Sequence, residues 1–176
     1  MTAAPWTSLA FCCAALAAAP ALGQAAPERV AAHNDWSVFV AGDPQECYIV
    51  AQPTGSTARR DGQPVEVNRG DVRLFVRFSP SDSTANEVSF SGGYPFSADP
   101  VRVEVGDATF ELDPGPGETN GWAWTRPDDD ARVVAAMRGG ATATITGVST
   151  RGTTTIDTFS LSGFTAAVNE AESRCE

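Results

Sequence analysis

Apolar and polar residues alternate with a period of two along much of this chain, which predicts short β-strands. In the clearest example, Leu74 and Val76 occupy one face of a strand and Arg73 occupies the other. Further segments of this kind are 36–40, 47–52, 88–90, 101–105 and 110–112. Clusters of glycine and proline separate the segments about every ten residues, a spacing typical of sandwiches and barrels. The pattern predicts a mainly β, antiparallel fold, either a sandwich or a barrel.

Two segments in the C-terminal third break this alternation and predict short helices. Residues 128–138 follow Pro127, begin with three aspartates and are followed by two glycines, which are start and stop signals for a helix. A second short helix is expected at about residues 165–172. Between the two, the threonine-rich segments 141–150 and 153–161 predict a tight β-hairpin.

The start of the chain has the composition of a secretory signal peptide. Residues 1–25 carry no charged side chain, contain an alanine-rich apolar stretch and close on small residues. A membrane anchor needs roughly 18 or more strongly apolar residues, so we expect cleavage and no stable membrane span afterwards. We divide the chain into the signal peptide 1–25, a flexible N-terminal segment 26–35 and a single β-sandwich domain 36–176. The mature protein is expected to be periplasmic or secreted.

Cleavage would leave two cysteines, Cys47 and Cys175, because Cys12 and Cys13 lie in the leader. A disulfide is the default state of such a pair in an oxidising compartment. Two free, buried thiols are the alternative. A metal site is not expected, since no CxxC spacing is present.

Composition limits the partners that the chain can have. It carries 12 arginines and no lysine against 22 acidic residues, for a net charge of −10. Nucleic acid is therefore a poor partner, because phosphate binding needs a basic surface. We expect a monomer whose partner is an envelope or surface protein.

The candidate catalytic residues are few, and each has a simpler structural explanation. His33 is the single histidine and lies in the predicted flexible segment, so His-based triads are not expected. Ser149 lies in a sequence that only half resembles a nucleophile elbow, because Arg151 replaces the second glycine. The acidic run 128–130 fits a helix N-terminus better than a metal site. We predict no catalytic residues, no cofactor and no metal, although a carboxylate pair for glycoside hydrolysis stays open.

Aromatic residues are the remaining candidates for a binding surface, but sandwich cores ordinarily bury such side chains. Those considered are Trp36, Trp122, Trp124, Tyr94, Phe96 and Phe164. The residues predicted to be structural core are Trp36, Trp124, Phe159, Leu161, Gly163 and Phe164. In this set Gly163 permits a bend after a strand, and Phe164 then locks the last helix onto the sandwich. The burial of Phe39, opposite Trp36 on its strand, is left unassigned.

Several segments resemble the invasion-associated locus B family of bacterial exported proteins. The most specific is the Phe-Ser-Leu-Ser-Gly-Phe block at 159–164, and the segments 36–39, 47–50, 93–96 and 135–140 fit in order. The resemblance implies an immunoglobulin-like β-sandwich exported to the periplasm or surface, with no catalytic residues to carry over.

These observations predict an exported accessory or interaction protein of the bacterial envelope that acts by binding or structural support, without catalysis. Two alternatives remain open. One is a small carboxylate-based hydrolase of envelope substrates, and the other is a periplasmic carrier that holds a small ligand at one end of the sandwich.

Overall fold

The computed structural model of the protein describes residues 26–175. The predicted signal peptide at 1–25, with Cys12 and Cys13, lies outside the described residues. The strands within that range are β1 (Glu28–His33), β2 (Trp36–Ala41), β3 (Glu46–Ala51), β4 (Gly55–Arg60), β5 (Gln63–Pro64), β6 (Arg73–Ser79), β7 (Thr84–Ser91), β8 (Val101–Val105), β9 (Ala108–Pro114), β10 (Trp122–Thr125), β11 (Thr142–Val148) and β12 (Thr154–Ser160). The helices are α1 (Pro127–Gly139) and α2 (Phe164–Arg174).

Antiparallel pairing joins the strands into one sheet with the order β1-β2-β3-β6-β7-β10-β9-β8-β11-β12-β4-β5. The sheet folds back on itself, because the start of β2 meets the end of β12. There the Trp36 indole Nε1 donates to the Ser160 carbonyl oxygen at 3.0 Å. The predicted mainly antiparallel, sandwich-like fold is confirmed. Its two layers belong to one continuous ladder, whereas an immunoglobulin domain has two separate sheets.

The period of two explains where the core lies. In β6 the side chains of Leu74, Val76 and Phe78 are buried, and those of the intervening residues are partly exposed. The other strands of the main layers repeat this alternation, so both layers turn an apolar face inward. A single cluster of buried residues fills the space between them.

Both predicted helices are present and close this core. In α1 the apolar residues Val133, Val134 and Met137 are buried. Asp130, the third residue of the acidic run, is also buried, and its carboxylate accepts hydrogen bonds from Val88 N at 3.1 Å and from the Thr125 hydroxyl. The acidic run thus fastens α1 to the sheet, as its position at a helix N-terminus suggested.

The segment predicted to be flexible, 26–35, contains an edge strand. Strand β1 pairs with β2 along Glu28–His33, with a register shift between Arg29 and Ala31. The sequence signal for this strand is weak because β1 buries no side chain fully and its residues are mostly exposed. The polar residues of this segment predict flexibility, but an edge strand also carries polar residues.

Candidate binding face

Cys47 and Cys175 form a disulfide that joins strand β3 to the end of the last helix. Cys47 is fully buried in β3, Cys175 follows the end of α2, and their Cα atoms are 5.9 Å apart. A short hydrogen-bonded link supports the same junction, since the Gln45 amide donates to the Arg174 carbonyl oxygen at 2.8 Å. The bond fixes the last helix across the sheet. It contributes stability and no exposed reactive group.

Most of the predicted core residues are buried. Trp36, Phe159 and Phe164 are fully buried, and Leu161 is 6% exposed. The Trp36 and Phe164 rings pack edge to face with centroids 4.9 Å apart. Gly163 starts α2 in a left-handed conformation with φ +86°, and a Cβ there would collide with the carbonyl of His33.

Trp124 is the exception, and its assignment to the core is wrong. Strand β10 turns Ala123 and Thr125 inward, so Trp122 and Trp124 lie half-buried on the outer face. The two share this face, with their ring centroids 6.1 Å apart. Trp36 lies on the inner side instead, against Phe164.

The outer face of strands β2, β3, β6 and β10 carries a continuous series of aromatic side chains, which we call the aromatic row. Its members are Phe39, Tyr48, Phe75, Trp122 and Trp124. Successive ring centroids are 5.1, 6.0, 5.3 and 6.1 Å apart. All five side chains are partly exposed. Half-buried aromatic rings in line are unusual on a sheet face that no element within residues 26–175 covers.

Small residues on β7 allow this row to cross the sheet. β7 lies between β6 and β10, and its outward residues are Ser89 and Ser91. Ser89 pairs with Phe75 of β6 and with Trp124 of β10. Ser91 pairs with Arg73 of β6 and with Trp122 of β10. Because serine fills little space, Trp122 reaches across β7 to Phe75 at 5.3 Å. The result is a shallow groove of about 430 Å³ whose floor is aromatic.

Charged residues border the groove and give it a net acidic character. Arg77, which pairs with Tyr48 across β3 and β6, bonds to Glu87 and Glu46 at 2.9 Å each and reaches Asp82 at 3.4 Å. The hydrogen bond to Glu87 raises the pKa of the Arg77 guanidinium, which therefore stays charged. Burial raises the pKa of the Tyr48 hydroxyl, helped by the negative charge of Glu46. Three carboxylates surround one cation, so the groove carries an excess of negative charge.

The isolated polar residues considered as catalytic candidates have structural partners. His33 Nε2 lies 2.6 Å from Glu170 Oε2, a contact that ties β1 to α2. The Ser149 hydroxyl accepts from the backbone of Arg151 and Thr153 and so closes the β11–β12 turn. Across residues 26–175, the side chains show no group of three or more His, Cys, Asp or Glu placed to hold a metal ion.

Sequence reasoning leaves the burial of Phe39 unassigned and does not single out Tyr48 or Phe75 as candidates for a site. Each lies between two core residues of its strand, for example Tyr48 between Cys47 and Ile49. Alternation alone therefore places them outward. Tyr48 lies in a compact apolar run, which looks like a fully buried strand. The strand order that brings the three residues together is not visible in the sequence.

The fold and the site define a disulfide-closed antiparallel β-protein whose outer sheet face carries an aromatic groove. Residues 101–172 match the family model described as Invasion associated locus B (IalB) protein. The resemblance predicted from the sequence is therefore confirmed over this region, which runs from β8 into α2. The family match supports an envelope-associated accessory protein. Neither a curated protein nor a solved structure matches the chain. Among the described helices, neither is long and apolar enough to span a membrane.

Proposed function

We propose that this chain is an exported accessory protein of the envelope that acts by binding, and that the aromatic row is the surface that contacts its partner. The observation that carries the proposal is the unbroken series of five partly exposed aromatic side chains on one sheet face. Tryptophan, tyrosine and arginine are the residues that most often dominate the energy of protein–protein interfaces. Here Trp122, Tyr48 and Arg77 lie around one groove.

The charge of the groove indicates the chemistry of its partner. Glu46 and Glu87 line the groove, and both share the cation Arg77 with Asp82, which lies outside the lining. The whole chain carries a net charge of −10. A partner segment that presents arginine or lysine side chains would meet both the excess carboxylates and the aromatic rings, which attract cations. The proposed occupant is therefore a basic surface segment of an envelope protein.

The stacking of the rings favours a protein partner over a carbohydrate chain. Phe39 and Tyr48 stack face to face with 5° between their planes, and Trp122 and Trp124 stack at 22°. Rings stacked in this way present part of their faces to each other, which leaves less flat surface for a sugar. Their edges and the gaps between them are well suited to apolar and cationic side chains.

The test is site-specific photo-crosslinking in the envelope of the producing cell. A photoreactive phenylalanine analogue replaces Val50, which lies on the outer face of β3 opposite Phe75. The matched control carries the same analogue at Thr146, on the outer face of β11 in the other layer. We expect one discrete protein adduct from position 50 that is lost on adding Trp122→Ala. No adduct, or the same adduct from both positions, would overturn the proposal.

A further inference from the structure

A second cleft lies at one end of the sandwich, away from the aromatic row. It has a volume of about 550 Å³. Its walls come from the loop between β5 and β6, from the segment 93–95 and from the β11–β12 turn. Backbone hydrogen bonds fix these walls to one another: Gly70 N donates to Gly93 O at 2.9 Å, and Thr150 N donates to Pro95 O at 3.0 Å. The cleft is thus built from ordered turns.

Three of the arginines, Arg60, Arg69 and Arg151, line this cleft. The two acidic groups at the cleft are Glu66, which is exposed, and Asp157, which is buried beneath Arg69. Cations therefore outnumber carboxylates here, which reverses the balance of a chain with net charge −10. Arg60 and Arg151 have no carboxylate within 4.0 Å among residues 26–175, so their charge is available to a ligand.

The floor of the cleft is rigid because buried groups hold it. Arg69 forms a two-pronged ion pair with Asp157, whose side chain is fully buried, and lies 6.0 Å from the centroid of the Tyr94 ring. The Tyr94 hydroxyl in turn lies 2.6 Å from Thr155 Oγ1. Arg69 therefore fixes the floor of the cleft, and its charge is already balanced by Asp157.

Arg60 is positioned by a buried hydroxyl. Its Nε and Nη2 donate to Thr153 Oγ1 at 3.0 and 2.6 Å, and Thr153 is 4% exposed. Two guanidinium groups are thus oriented at the cleft by buried side chains, while Nη1 of Arg60 forms no hydrogen bond within the described part of the chain. Guanidinium forks suit the two oxygens of a carboxylate or phosphate.

Apolar side chains complete the lining. Val67 is an exposed large hydrophobic residue, at 41%, and it lines this cleft together with Tyr94. An apolar rim beside fixed cations matches a ligand with two parts, a charged head and a hydrocarbon or aromatic body.

We propose that this cleft binds a small organic oxyanion, with its carboxylate or phosphate head on Arg60 and Arg151 and its apolar body against Tyr94 and Val67. This site is separate from the aromatic row, and binding there does not depend on the proposed protein partner.

The test uses inorganic phosphate and acetate as probes, titrated into the 15N-labelled protein with chloride at matched ionic strength as the reference. We expect saturable shifts of the backbone amides at residues 151–153 with either oxyanion, and none with chloride. The ratio of the two dissociation constants tells whether a phosphate or a carboxylate head is preferred. Shifts that do not saturate, or that chloride reproduces, would overturn the proposal.

Three variants, each of which removes one positive charge, show whether binding depends on the residues of the cleft. Arg60→Gln and Arg151→Gln should each weaken binding about tenfold, since each removes a hydrogen bond to a charged group. Arg59→Gln is the control, because Arg59 is the neighbour of Arg60 on β4 and does not line the cleft. Equal weakening by all three would show a general charge effect and contradict a defined site. Unchanged circular dichroism checks that each variant is folded.

Discussion

Removing the disulfide should lower the free energy of unfolding by nearly the amount expected for opening a very long loop. Cys47 and Cys175 are 128 residues apart in sequence. A crosslink that closes a loop of this length reduces the entropy of the unfolded chain by the equivalent of about 5 kcal/mol at 25 °C. Residual structure in the unfolded chain reduces that figure, so we expect a loss of about 3 to 5 kcal/mol.

Two independent perturbations separate this loop effect from packing. The first is chemical reduction of the native protein, which keeps both sulfur atoms in place. The second is the double substitution Cys47→Ala with Cys175→Ala, which also removes a fully buried sulfur in β3. Urea unfolding of all three forms measures the free energies. The double variant should be less stable than the reduced protein by about 1 kcal/mol, the cost of a small cavity.

The folded state itself should survive the loss of this bond. Helix α2 keeps four buried residues on the sheet, namely Phe164, Ala167, Val168 and Ala171. We expect hydrogen exchange of the backbone amides in α2 to become faster. In β6 and β7 the exchange rate should change only as far as the free energy of global unfolding changes. A loss of stability under about 1 kcal/mol would refute the loop argument. Two free thiols in the unreduced mature protein, seen by mass spectrometry, would refute the bond itself.

Three further perturbations test other parts of the structure, each by urea unfolding. Asp157→Asn leaves the Arg69 guanidinium nearly buried without its partner and should cost about 3 to 5 kcal/mol; a cost near zero would mean that the pair is not formed. Phe164→Ala should cost about 3 to 5 kcal/mol because the ring is fully buried against Trp36, and an unchanged urea midpoint would contradict that packing. Burial raises the pKa of Asp130, so the folded protein binds a proton at this carboxyl more tightly than the unfolded chain does. The contribution of Asp130 to the free energy of unfolding therefore falls as the pH rises from about 4, the pKa in the unfolded chain, to the raised pKa of the folded protein. Asp130→Asn should remove that fall, and parallel pH profiles for the two proteins would refute the assignment.

The sequence predicted the secondary structure of the C-terminal half closely, because its local signals agree with one another. Pro127 and the acidic run start α1 and the pair Gly139 and Gly140 ends it, so the helix expected at 128–138 is found at Pro127–Gly139. The threonine-rich hairpin likewise appears as β11 and β12. Where helix or strand propensity, helix caps and turn residues all favour the same structure, tertiary contacts change the secondary structure little.

The N-terminal strand and the candidate face could not be predicted in the same way. Strand β1 is held by pairing with β2 and by the contact between His33 and Glu170, which are 137 residues apart. The aromatic row depends on strand order, since β6 and β10 are neighbours of β7 although 30 residues lie between the end of β7 and the start of β10. The size of Trp124 predicts a core position, but the register of the four-residue strand β10 places it on the outer face.

The most direct test of the account is whether the aromatic row is required for binding in the envelope. Immobilised native protein, Trp122→Ala and the control Arg102→Gln are compared for the envelope proteins that each retains, at low and high salt. Arg102 lies exposed on β8, in the other layer of the sheet. The account predicts a protein retained by the native and control chains, lost with Trp122→Ala and weakened by salt. Equal retention by all three chains would contradict it.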